Sequence, residues 1–398
     1  MSPGASAAPR AVRPDRQALF ATAAVNALVP LNSTMIAVAL PDIVDDLGTN
    51  VSGAGWLVTS YLAAMAILQP IGGRLGDAAG RRRLVAIGLA GFAAASFGAS
   101  LSPGLLALLG FRVVQAVMGA LMVPNATAML RAVAPDDRRG RQFGVLGSVM
   151  GLSAAIGPLV GGVLVAAAGW RAVFAVNVPA VALAAVALSR CPGGDGKRAS
   201  TGSAARPALL RNRSFAAAAV ANGLGNMAMY TTLVVVPLAV DHRGWGASAT
   251  GVALAGLTLS MTVFAIFGGR LADRTGRRTP AAGGALLLAA AIVPLAVTDG
   301  SLAAGPLVAL LVVAGAGVGL ATPALQTAAL EAVPALHAGA ASGVYSTLRY
   351  AGSVTGTAAV TLIVSESAGF GAAFAMAAVA AAVASAVSLG VEDRIVTP

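Results

Sequence analysis

Of 398 residues one is cysteine, Cys191, and two are histidine, His242 and His337. An internal disulfide is therefore excluded, and the usual soft metal ligands are too few to form a cluster. Charge is scarce as well. Asp, Glu, Lys and Arg together make up 10% of the chain, against about 25% in a soluble domain. What fills the space is apolar: 57% of residues are hydrophobic and the mean hydropathy is +0.83. Apolar runs of about 20 residues, long enough to cross a bilayer, recur along the whole sequence. The formal net charge of +11 does not point to nucleic acid, because the cations sit in short loops between apolar runs and form no basic domain.

The runs predict helices at roughly 17–40, 54–73, 84–101, 105–130, 142–167 and 172–190, then 214–240, 249–269, 280–298, 304–330, 339–364 and 369–390. Arg10, Arg13 and Arg16 precede the first run, which is too long for a signal peptide's apolar core, so an uncleaved first helix is expected. The segment "RCPGGDGKRASTGSAARPALLRNR" from Arg190 to Arg213 is rich in Gly, Ser, Pro and Arg and reads as a linker. The expected organisation is a six-helix unit over 1–190, a cytoplasmic linker over 191–213 and a second six-helix unit over 214–398. Basic residues give an independent check. With the N-terminus inside, 22 of the 26 Lys and Arg fall in inner loops, Arg171 and Arg243 fall in outer loops, and Arg112 and Arg349 fall inside spans. Such a bias orients the chain with both termini in the cytoplasm.

A short basic loop occurs twice. "GGRLGDAAGRRR" runs from Gly72 to Arg83 and "GGRLADRTGRR" from Gly268 to Arg278. Each joins the second and third helix of its unit, on the inner side. Six is even, so the two units run in the same direction, as parallel repeats do. Glycines in the first copy, among them Gly73 and Gly80, allow close approach and a tight turn. Asp77 is one acid among Arg81, Arg82 and Arg83, and a partner arginine is expected; Asp273 stands likewise beside Arg277, with Gly269 and Gly276 flanking it. A third pattern is the small-residue stripe of the fifth helix, "GSVMGLSAAIGPLVGG". At 100° per residue Gly147, Gly151, Pro158 and Gly162 fall within about 60° of one another, a smooth face for a neighbouring helix. In the fourth helix Arg112 lies within a span, where a charge is costly and should face a cavity or a partner.

On these residues the chain resembles the major facilitator superfamily of secondary transporters, over nearly its whole length. Gly73 to Arg82 matches that superfamily's most characteristic loop, and Gly269 to Arg278 is its echo. The resemblance implies twelve transmembrane helices in two six-helix repeats around a central cavity, and a latch in which Asp77 interacts across the halves and stabilises the outward-open state. Gly157, Pro158, Gly161 and Gly162 resemble the fifth-helix motif of drug–proton antiporters and other exporters. "RVVQAVMGA" from Arg112 resembles an Arg-x-x-Gln-Gly motif, with Gln115 in place and Ala116 where glycine is usual; it implies that Arg112 takes part in proton coupling. "LNSTMIAVALPDI" from Leu31 and "LLRNRSF" from Leu209 are similar to the fourteen-helix drug antiporters, although twelve spans are counted here.

The resemblance implies a substrate cavity between the halves. Asn26, Asn32, Gln115 and Met118 in the first half, and Asn222, Asn226, Tyr230, Tyr345, Arg349 and Tyr350 in the second, fall at that depth; for each Asn or Tyr alone, an interhelical hydrogen bond is an equal reading. Asn32 stands where an aspartate is usual and cannot titrate. None of the chain's acids falls in the middle of a span. Proton coupling through Asp42 or Asp46 outside and Asp77 inside, a relay through water and Arg112, and uncoupled transport all stay open. The expected activity is proton-coupled export of a small organic molecule from the cytoplasmic membrane by a monomer in contact with lipid, with metabolite uptake or facilitated diffusion as the alternative. No cofactor and no enzymatic chemistry are expected, because the spans hold no acid, cysteine or histidine cluster.

Overall fold

A computed structural model describes residues 14–133, 136–191, 210–333, 338–364 and 369–393. Among the described residues the chain is all helix. The first unit holds α1 (Pro14–Asp46), α2 (Val51–Ala79), α3 (Arg81–Ser100), α4 (Leu105–Val133), α5 (Asp136–Ala168), α6 (Arg171–Ala175) and α7 (Asn177–Ser189). The second holds α8 (Arg213–Asp241), α9 (Ala247–Thr275), α10 (Arg278–Val297), α11 (Ala304–Glu331), α12 (Ala338–Ile363) and α13 (Gly371–Ser388). Eleven spans among the described residues are long and apolar enough to cross a membrane, with α6 and α7 forming one of them. The twelfth, α12, has 26 residues, about 39 Å at the helical rise, and carries Arg349.

The helices outrun the apolar windows at both ends, since polar residues extend a helix beyond the bilayer core. Local chemistry sets several boundaries. Asn50 caps α2 by accepting from the Gly53 amide at 2.7 Å, and Asn212 caps α8 by accepting from the Phe215 amide at 3.0 Å. The α2–α3 and α9–α10 turns are made by Gly80 and Gly276 at φ +93° and +86°, a region closed to most side chains. The sixth span departs from the expected continuous helix: it breaks at Val176 into α6 and α7. The linker from 192 to 209 and the basic residues Arg10, Arg13, Lys197, Arg198, Arg206 and Arg394 lie outside the described residues.

Lipid is as apolar as leucine, so association of these helices rests on close packing and interhelical hydrogen bonds. The sequence supplies 49 glycines for it. The repeat is visible here. Gly72 of α2 lies on the Ala120 carbonyl of α4, and its counterpart Gly268 of α9 lies on α11, where a Cβ would stand 2.6 Å from the Leu320 carbonyl oxygen. The two units meet along α5 and α9, along α2 and α12, and more lightly along α1 and α8.

The two arginines expected in outer loops each find partners locally. Arg171 pairs with Asp46 at 2.7 Å and stacks on Trp170 at 4.3 Å. Arg243 donates to the Leu302 and Ser301 carbonyls and stacks on Trp245 at 4.6 Å.

Candidate functional site

The fifth-helix glycines divide between two neighbours. Gly157 and Gly161 turn toward α1 of their own unit: a Cβ on Gly161 would stand 2.9 Å from the Met35 carbonyl oxygen, and one on Gly157 would overlap Thr34. Gly151, Pro158 and Gly162 turn toward α9 of the other unit. A Cβ on Gly162 would lie 3.2 Å from Gly251 Cα, and one on Gly251 would lie 2.7 Å from the Pro158 carbonyl oxygen. Below this crossing, Thr258 donates to the Ala155 carbonyl at 2.9 Å and Thr262 to the Gly151 carbonyl at 3.1 Å. The surroundings of Gly147 lie outside the described residues. The matching glycine, Gly251, was not singled out by sequence; its signal was another small residue at the head of a span.

A second contact between the units joins α2 and α12. Gly55 packs on Thr361, Thr59 donates to Thr357 at 2.9 Å, and Gln69 Nε2 donates to the Tyr350 hydroxyl at 3.2 Å. Gly55, Thr59, Thr357 and Thr361 lie toward the end of the molecule opposite the two basic loops. So do Gly162 and Gly251.

The basic loops form separate ion clusters. In the first, Arg81 donates to Asp77 at 2.8 Å and reaches the Ala128 carbonyl of α4, while Arg82 donates to the Cys191 carbonyl at 2.6 Å. Gly76 seats on Asn125 and Gly73 has room around it. Among the described residues, every bond of Asp77 stays within its own unit, and the interaction across the halves is not formed in this conformation. The second cluster is the fuller one. Arg277, only 3% exposed, donates to Asp273 at 2.9 Å and to both oxygens of Glu331 at 2.9 and 3.2 Å. These carboxylates, Glu331 foremost, hold the Arg277 guanidinium above its usual range. Glu331 was not foreseen. Gly269 has open space around it, whereas Gly276 faces Asp393.

Arg112 is wholly buried and does not reach back toward the surface. It donates to the Leu57 carbonyl at 3.2 Å and to Gln115 Oε1 at 2.9 Å, and lies 4.1 Å over the ring of Tyr61. Gln115 in turn donates to Ser96 at 2.7 Å. Asn32, also wholly buried, accepts from Asn177 Nδ2 at 3.0 Å. Tyr61, Ser96 and Asn177 complete this polar core, and no sequence pattern marked them. Among the described residues Arg112 Nη2 and Asn177 Oδ1 have no hydrogen-bond partner, and the Tyr61 hydroxyl stands beside Asn32.

The expected cavity residues do not all meet. Asn26 donates to the Thr22 carbonyl and accepts from Thr127 of α4, and Met118 lies against Gly91 of α3. Both are turned into their own unit, Asn26 by its bonds to Thr22 and Thr127 and Met118 by the room that Gly91 leaves on α3. Asn226 donates to the Asn222 carbonyl at 2.9 Å along α8. Tyr230, Tyr345 and Tyr350 instead gather around Arg349, whose guanidinium carbon lies 4.5 Å over the Tyr350 ring. Tyr230 also faces Ser33 of α1, across the units.

Comparison with known proteins accords with this geometry. The major facilitator superfamily model matches residues 22–357 and, a second time, residues 219–394. YvkA, an MFS-type transporter of Bacillus subtilis, is 31% identical over 389 residues, covering 84% of this chain and 88% of that protein. The tetracenomycin C resistance and export protein of Streptomyces glaucescens is 41% identical over 168 residues, 42% of this chain; the match spans only 31% of that longer protein. In fold, the chain is similar to a bacterial homologue of the human lysosomal transporter Spinster, crystallised inward-facing and unoccupied, with a TM-score of 0.77 at 16% identity over 95% of this chain and 97% of that one. Twelve spans, a duplicated basic loop, paired helices across two units and a family match over most of the chain converge: this protein is a multi-pass membrane transporter of the major facilitator superfamily, and not an enzyme.

Proposed function

We propose that the protein exports a small organic molecule across the cytoplasmic membrane by alternating access, with both termini inside. The two units, 1–190 and 214–398, rock about the α5–α9 contact, while the α2–α12 contact of Thr59 and Thr357 parts as its end of the molecule opens. The observation that carries the reading is the α5 face. Gly162 meets Gly251 with no side chain between them, so the helices can pivot there without unlocking interdigitated side chains. Resistance and export are named functions of the Streptomyces glaucescens relative, and the shared segment supports carrying them to this chain.

The same reading gives Arg112 a role in coupling. A cation within a span is costly and needs a partner or a cavity. Arg112 lies about two turns into α4, wholly buried, with one hydrogen bond to α2 and one within its own helix, as expected of a residue retained for transport. With Asn32 unable to titrate, protons enter through carboxylates at the mouths, Asp42 or Asp46 on one side and Asp77 on the other.

Inside-out vesicles from expressing cells, screened with a panel of toxic organic compounds under an imposed pH gradient, test the reading. Accumulation of at least one compound that collapses with the gradient is the expected result. Accumulation only in right-side-out vesicles would establish uptake instead, and accumulation indifferent to the gradient at zero potential would remove electroneutral proton antiport.

A further inference from the structure

Arg349 is set among phenols and, among the described residues, pairs with no carboxylate. The described ion pairs are Asp77–Arg81, Asp46–Arg171, Asp273–Arg277, Glu331–Arg277 and Asp393–Arg278, and all lie at helix ends or in the turns joining helices. Neither Arg349 nor Arg112 takes part in one among the described residues. Tyr230, Tyr345 and Tyr350 stand within electrostatic reach of Arg349, and Tyr61 stands within reach of Tyr230 and Tyr350. These are all four tyrosines of a chain in which aromatics make up 5% of residues. They come from α2, α8 and α12, and so from both units. Among the described residues the hydroxyl of Tyr345 is buried without a partner, and that of Tyr61 stands beside Asn32.

We infer that the exported molecule is an aromatic organic acid, whose anion is held by the Arg349 guanidinium while its rings lie against these tyrosines. This deepens the export reading and rests on it. A guanidinium offers several N–H donors to a carboxylate or acidic phenol, and phenol hydroxyls donate to the same oxygens. A cationic molecule meets a fixed positive charge and, at Asn32, an amide in place of a carboxylate. The rest of the molecule is arranged in the same sense. Inner loops hold 22 cations, which concentrate anions at the entry side. At the opposite end Asp42, Asp45 and Asp46 line a recess beside Arg171, with Asp241 in electrostatic reach of Asp42 and Asp45. A released anion is repelled from that rim.

The test uses the full-length protein in proteoliposomes and two probes that share one ring system: anthraquinone-2-carboxylate, and an anthraquinone bearing a trimethylammonium-methyl group. Wild type moves the carboxylate at least about tenfold faster than the cation, as the loss of one desolvated charge pair requires. Arg349→Gln loses that preference, Arg349→Lys keeps it at a lower rate, and Arg349→Glu turns it toward the cation. Tyr345→Phe, which keeps the ring and removes the hydroxyl, slows the carboxylate severalfold. Wild type preferring the cation would overturn the assignment, as would unchanged selectivity in both Arg349→Gln and Arg349→Glu at equal amounts of inserted protein. Either result leaves the export reading standing. Movement of neither probe by wild type, in either membrane orientation, also overturns the assignment, and the compound panel alone decides the export reading.

Discussion

Gly162 of α5 and Gly251 of α9 face each other across the two units, so close that a Cβ on the first would lie 3.2 Å from the Cα of the second. One helix is seated on another with bare backbone between them. Membrane helices gain little from apolar burial against each other, so this contact depends on shape. Adding a branched side chain at either position pushes the units apart at the pivot. Gly162→Val and Gly251→Val are each expected to reduce transport at least about tenfold with protein still inserted, since overpacking costs about 1–3 kcal/mol. Gly151→Ala, whose Cβ would lie 3.7 Å from Thr262, should be tolerated. Transport assays at matched protein levels check it; equal activity of all three would refute the pivot.

Arg112 serves three neighbours at once: the Leu57 carbonyl, Gln115 and the Tyr61 ring. A lysine retains the charge but has a single ammonium in place of the planar fork. Arg112→Lys is therefore expected to lose most transport, nearly as much as Arg112→Gln. Full activity in the lysine variant would show that charge alone is required.

Asn32→Asp introduces a carboxylate into a polar core that contains Arg112. The Asn32 oxygen that accepts from Asn177 is kept, and Nδ2 is replaced by an oxygen. Transport by this variant should depend more steeply on the pH gradient than that of wild type. Identical gradient dependence, measured in reconstituted vesicles, would place coupling elsewhere.

The two loop acids should separate by readout. Asp77 is the partner of Arg81 at 26% side-chain exposure, whereas Asp273 is 70% exposed and shares Arg277 with Glu331. Asp77→Asn is expected to impair transport more than Asp273→Asn. Glu331→Gln should lower the thermal stability of solubilised protein more than Asp273→Asn, because exposed pairs contribute about 0–1 kcal/mol. Comparable transport by Asp77→Asn and wild type would remove the latch role, and equal melting of the two second-loop variants would remove the ranking.

Much of this was legible in the sequence because membranes impose simple rules. Hydropathy placed the spans. The α5 stripe was readable from helical angle alone, and Gly151, Pro158 and Gly162 do share one face, toward α9. Periodicity gives a face, however, and not the neighbour upon it. Gly251, Gln69, Asn177 and Tyr61 were missed for that reason: each meets its partner across more than a hundred or several tens of residues. Asn26 and Met118 show the converse. Their depth suited a cavity, yet both turn into their own unit, because depth says nothing of azimuth. The break at Val176 was legible too: Pro179, three residues on, has no N–H for the Ala175 carbonyl and its ring crowds that oxygen.

Alternating access requires the end opposite the basic loops to open. Thr59 and Thr357 close that end with hydroxyls 2.9 Å apart, and Cys191 is the chain's only cysteine. Burial pushes its thiol up, away from reactivity, and Cys191→Ser gives a clean background. The direct measurement is transport by Thr59→Cys, Thr357→Cys protein before oxidation, after it, and after reduction. The account predicts a disulfide between positions 59 and 357 that arrests transport, and full recovery with reductant. Bridged protein that still transports at the unbridged rate would contradict it.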